Sequence, residues 1–144
     1  MFEHKMEEQK QNWVDIIDMD EKVVEEMLRF IYTSEVQNIE KIADSLLVAA
    51  DKYAVDSLKL MCQESLTGSL TIMNAAHVLV FADIHSCDWL KTQAINFITK
   101  YTTAVMDTED FKLAVTSHPH LIAEILRALA IKDYIDEAML AEYS

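Results

Sequence analysis

The chain has 144 residues and a formal net charge of −13; it is 51% hydrophobic, with one Gly, one Pro and two Cys. That hydrophobic share excludes general disorder, and so few Gly and Pro cannot supply the turns of an all-β fold. Surplus acid repels both a phosphate backbone and an anionic bilayer, so neither nucleic acid nor membrane is an expected partner.

Residues 1–11 are charged and polar apart from Met1, Phe2 and Met6, with no apolar signal-peptide core. No later apolar run approaches the ~20 residues of a membrane span. Nine acidic residues fall within positions 1–26, against Lys5, Lys10 and Lys22. Trp13 to Ile17 is the one strand candidate, being β-branched and aromatic. A lone strand leaves its N–H and C=O groups without neighbours. It therefore pairs with another chain, joins a strand upstream, or is no strand. The abrupt start leads us to expect the back part of something larger.

From Asp20 to Tyr32 the pattern is helical, with Val23, Val24, Met27, Leu28 and Ile31 sharing a face. Ile39, Ile42, Ala43, Leu46, Leu47, Ala50 and Tyr53 mark a long amphipathic helix. Leu58, Met61, Cys62 and Leu66 carry the next, which Gly68 stops. Thr71 caps a helix to about Asp83. Another runs from about Asp88 to Lys100, with Leu90, Ala94, Phe97 and Ile98 inward. Asp107 or Thr108 caps a short helix through Val115, and Pro119 suits the first turn of a last one. Cys62 reads as a small buried hydrophobe, and two unpatterned cysteines point to a reducing, intracellular compartment; no signal chooses between nucleus and cytoplasm.

One pattern occurs twice, 32 residues apart: Ala50, Asp51, Asp56, Leu58 and Lys59, then Ala82, Asp83, Asp88, Leu90 and Lys91. Each copy reads as a helix end, a tight turn, an Asp N-cap and a new helix. The expected fold is mainly α: antiparallel helix pairs with at most one short remnant strand. Such proteins usually present surfaces rather than perform chemistry.

No catalytic constellation accompanies this. His118 and His120 stand two apart with no partner at zinc spacing, so no metal is expected. One Gly cannot build a phosphate loop, and no nucleophile signature occurs. Neither enzyme activity nor a cofactor is expected. Leu121, Ile125, Leu126 and Leu129 lie on adjacent faces of the last helix and either pair with another copy or cover the preceding helices.

Several stretches then fall into one family pattern: Met1 to His4, Met6 to Glu8, Phe30 to Thr33, Ala49 to Ala54, Leu90 to Ala94 and Ser117 to Leu121. They resemble the MATH–BTB family of speckle-type POZ proteins, in order, over about residues 1–130. The resemblance implies a partial BTB/POZ domain over 1–68, a BACK-like helical extension over 69–130, and an acidic C-terminal helix or tail over 131–144. It implies a non-enzymatic adaptor of a cullin-RING ubiquitin ligase. Met6 and Glu8, with Tyr53, would contact the cullin, and Leu121, Ile125, Leu126 and Leu129 would serve homo-oligomerisation. The MATH domain and the first half of the BTB domain are expected to be missing, as in a fragment, isoform or incomplete gene model. Departures include Ser34 where the family carries Gly, Leu126 where close relatives carry Tyr, and an acidic end where they have a basic tail. A structural helical domain that only self-associates is the alternative.

Overall fold

The computed structural model describes residues 21–143. Among them are eight helices and no strand, the mainly α architecture expected. The strand candidate at Trp13 to Ile17 lies outside the described residues. The helices fall into two compact units, one reaching Leu66 and the other starting at Thr67.

In the first unit, α1 (Glu21–Thr33) packs on α2 (Ile39–Lys52), and α3 (Asp56–Gly68) follows. The buried side of α1 is Val23, Met27 and Phe30. This corrects the expected face, because Leu28 and Ile31 are about half exposed. The i, i+4, i+7 row through Phe30 buries a larger aromatic body than the row through Leu28 does. Ala43, Leu46, Leu47, Ala49 and Ala50 form the buried side of α2. The Glu26 carboxylate accepts from the Gln37 N–H at 3.0 Å, which ties the connecting loop back to α1.

The duplicated pattern folds as one turn made twice. Tyr53 and His85 are the two helix C-caps. The next residues, Ala54 and Ser86, are left-handed, with φ of 57° and 54°. Val55 N–H donates to Ala50 O at 2.9 Å, and Cys87 N–H to Ala82 O at 2.8 Å. Ala54 N–H reaches Asp51 O at 3.3 Å, and Ser86 N–H reaches Asp83 O at 3.3 Å. These paired bonds are those of a Schellman motif, which satisfies the last carbonyls of a helix while reversing the chain. Ala50 and Ala82 are fully buried at the point of closure.

Asp56 and Asp88 are not the caps the pattern suggested. Val55 O accepts from Lys59 N–H and Cys87 O from Lys91 N–H, so each Asp sits one residue inside its helix. There its carboxylate complements the positive end of the helix dipole. Gly68 is the last residue of α3, but without positive φ. Ser34, Asn38, Ala54 and Ser86 hold the left-handed positions. Ser34 closes α1 by donating to Phe30 O at 2.7 Å.

The second unit holds α4 (Ala75–Ile84), α5 (Asp88–Lys100), α6 (Thr102–Met106), α7 (Glu109–Ser117) and α8 (Pro119–Tyr143). α4 and α5 form its main hairpin; α4 also packs on α7, α5 on α8, and α7 on α8. Leu79, Leu90, Ala94, Ile98, Val105 and Leu121 are almost wholly buried at its centre. Thr71 is not the cap the sequence suggested: it closes the turn before α4, where its N–H donates to Asn74 Oδ1 at 2.8 Å and its Oγ1 accepts from Asn74 N–H at 3.2 Å, and Asn74 itself takes the N-cap position. Thr108 caps α7 by accepting from Phe111 N–H at 3.3 Å. The five-residue α6 has no counterpart in the sequence reading.

Ala54→Gly and Ser86→Gly should each raise stability by about 0.5–1 kcal/mol, because Gly occupies the left-handed region without the Cβ clash. Urea denaturation checks this: the midpoint rises at unchanged slope, whereas a lower midpoint for both variants would contradict the left-handed turns.

Candidate functional site

Across each turn a Lys returns to the Asp that precedes it. Lys59 Nζ donates to Asp51 Oδ1 at 2.8 Å, and Lys91 Nζ to Asp83 Oδ1 at 3.0 Å. The first pair is the more exposed; Asp51 has a side-chain exposure of 42% against 20% for Asp83. The second pair has two further partners from α8. His120 Nε2 lies 2.7 Å from Asp83 Oδ2, and Glu124 Oε2 lies 3.0 Å from Lys91 Nζ. The four side chains strap the start of α8 onto the α4–α5 hairpin.

Burial pushes the Asp83 carboxyl up, but hydrogen bonds from Lys91 and His120 outweigh it and hold the group below its ordinary value. Burial likewise pushes Lys91 down, and its bonds to Asp83 and Glu124 more than restore it. Both shifts favour the charged pair. His118 contacts Ser117, Nδ1 to Oγ at 2.8 Å, and its ring centroid lies 5.9 Å from that of His120. Among the described residues no three His, Cys, Asp or Glu side chains could hold a metal ion together. No described helix is long and apolar enough to cross a membrane. Cys62 and Cys87 are both buried thiols.

Met6 and Glu8 lie outside the described residues. Tyr53 caps α2 and is 48% exposed, so its ring is open to contact. Leu121 and Ile125 belong to the interior of the second unit, at 0% and 3% exposure. Their side chains are covered by their own chain, which removes them from any surface between copies. Leu129 is half-buried, while Leu126 is 61% exposed. The three leucines and one isoleucine expected to act together are thus divided between core and surface, and Leu126 alone stands fully clear. Exposed apolar residues that the sequence reading passed over include Tyr32 on α1, Leu113 on α7, and Ile131, Tyr134, Ile135, Met139 and Leu140 on α8. A signal for the last group was present: apolar residues persist past Leu129 after the inward-facing row has ended.

A family model of the BTB/POZ domain matches residues 1–70, and one of the BPM/SPOP BACK domain matches residues 74–126. The first match contains the first copy of the turn, and the second contains the other with its straps to α8.

A double-mutant cycle on Asp83 and Lys91 should give a coupling of about 1 kcal/mol, larger than that for Asp51 and Lys59, as expected for the less exposed pair. Asp83, with its lowered folded pKa, contributes stability above its ordinary value of 3.8 and loses it as pH falls below that value; Lys91, raised, loses its contribution only as pH rises above its ordinary 10.5. The stability gap between wild type and Asp83→Asn, followed by urea denaturation, should therefore narrow as pH falls below about 4.

Proposed function

Because the chain belongs to the family of proteins that join a BTB/POZ domain to a BPM/SPOP-type BACK domain, we propose that it is an adaptor module of a cullin-RING ubiquitin ligase. The reading assigns residues 1–68 to a partial BTB domain, 69–130 to the BACK-like helices, and 131–144 to an acidic helical extension. BTB and BACK domains are protein-interaction modules, and the module acts by docking rather than by chemistry.

Met6, Glu8 and Tyr53 form the cullin-facing set. A Met side chain adapts to an irregular apolar groove, a carboxylate fixes orientation against a basic group, and Tyr offers an amphipathic ring with little entropy to lose. The exposed Leu126 of α8 is the self-association residue. Pairing copies would multiply cullin sites and raise the local concentration of the ligase. The observation that carries this reading is the succession of the two domain matches, in order, over most of the chain.

Calorimetry of the 144-residue chain with the N-terminal domain of a cullin tests the docking. Binding should weaken at least tenfold in the Met6→Ala, Glu8→Ala double variant and several-fold in Tyr53→Ala, the range of interface hot spots at about 1–2 kcal/mol. Absence of binding by the wild-type chain would refute the adaptor role. The exposure of Leu126 favours a second reading, a purely structural self-associating domain. Sedimentation equilibrium that shows dimers lost in Leu126→Asp, together with no cullin binding, would select it.

A further inference from the structure

The last helix has two unlike halves. Up to Leu129 its inner side is covered by the unit's other helices, with Leu121 and Ile125 buried. From Ala130 to Glu142 every residue is exposed. Yet this exposed half carries Ile131, Tyr134, Ile135, Met139 and Leu140, at 49–73% exposure. A helix that buries no face gains little against the entropy of ordering it, and a solvated helix has no need of such residues.

Ile131, Ile135 and Met139 recur at i, i+4 and i+8, so they form one row along α8. Where the row passes α5 it becomes the side of an open groove of about 340 Å³ lined by Asn96, Thr99, Ala128, Ile131, Lys132, Ile135 and Asp136. Lys132 Nζ reaches back to Thr99 O at 3.5 Å, so the cation is tethered to the opposite wall. It is the single basic residue of 131–143, against Asp133, Asp136, Glu137 and Glu142.

We propose that this groove receives a basic amphipathic helix from a partner protein. Its aliphatic face would lie on Ile131, Ile135 and Met139, and its Lys or Arg residues would meet Asp136 and Glu142. From Ala128 to Met139 the row spans about 17 Å, the length of three helical turns, which is the helix-in-groove mode of recognition. Charge decides between occupants. A second copy seated here brings a second set of the same carboxylates, Asp136 and Glu142, to the contact, and like charges at that place oppose the pairing. A basic helix gains both the apolar burial and the attraction. The groove also leaves the Leu126 surface free. Leu126 and Ile135 are nine residues apart, which at 100° per residue places them on opposite sides of the helix. The proposal stands independently of cullin docking.

The probe is a fluorescent 14-residue peptide with Leu at i, i+3 and i+4 spacing and Lys elsewhere, titrated with the full chain and followed by anisotropy. Micromolar binding is expected, at least tenfold weaker for Ile135→Asp and for Met139→Asp, and unchanged for Leu126→Asp. The aspartate variants add negative charge, so pure coulombic attraction would strengthen where the proposal requires loss. Ile135→Gln is the milder companion and should weaken binding several-fold with helicity unchanged by circular dichroism. Equal or tighter binding by all the groove variants would overturn the proposal. So would sedimentation equilibrium in which the wild type dimerises and Ile135→Asp and Ile135→Gln do not, since a second copy would then own the groove.

Discussion

The constraint on which both units depend is the reversal of a helix within three residues. A helix end exposes carbonyls that must find donors, and here Val55 and Cys87 supply the deepest of them across a left-handed residue. That closure needs a small side chain where the chain folds over itself, and Ala50 and Ala82 occupy that place, both fully buried. It needs a left-handed residue, which Ala54 and Ser86 provide at some cost in strain. The Asp–Lys straps then hold each incoming helix against the one just left. The motif is therefore repeated as a backbone solution and not as a site. Its charged residues stabilise the corner.

The two copies diverge in what they hold. The first leaves Asp51 largely open and Tyr53 displayed at the corner. In the second, α8 adds His120 and Glu124 to the strap, which fixes where the last helix begins its run along α5. From that anchor the burial of Leu121 and Ile125 follows. So does the emergence of the distal half of α8 beyond its neighbours, with an apolar row on one side and Leu126 on the other. An interaction protein needs surface that its own fold does not consume, and a single long helix, gripped at one end, supplies two such surfaces.

Much of this was legible in the residues. Periodicity located all the longer helices; Thr108 was readable as an opening, and Pro119 as a first-turn residue, because capping is a local property of a few neighbouring groups. The repeat located both corners for the same reason. Less legible were matters of one residue or one helical row. Asp56 and Asp88 stand just inside the helices because Val55 and Cys87, having closed the preceding turn, already occupy the cap position. Phe30 displaces Leu28 and Ile31 from the interior of α1, and neighbouring apolar rows look alike in sequence. The short α6 has too few residues for any period to register.

What the sequence by itself determined is the helical class, the two corners and the membership signalled by the stretches from Met1 to Leu121; each rests on local spacing and chain order, which need no knowledge of neighbours in space. What only the tertiary structure decided is which apolar residues of α8 face inward. Leu121, Ile125, Leu126 and Leu129 are equivalent as sequence. The packing of α8 on α5 and α7, begun by the strap at Asp83 and Lys91, buries the first two and exposes Leu126. Burial depends on contacts between segments far apart in the chain, and no periodicity within one helix can say where its neighbours end.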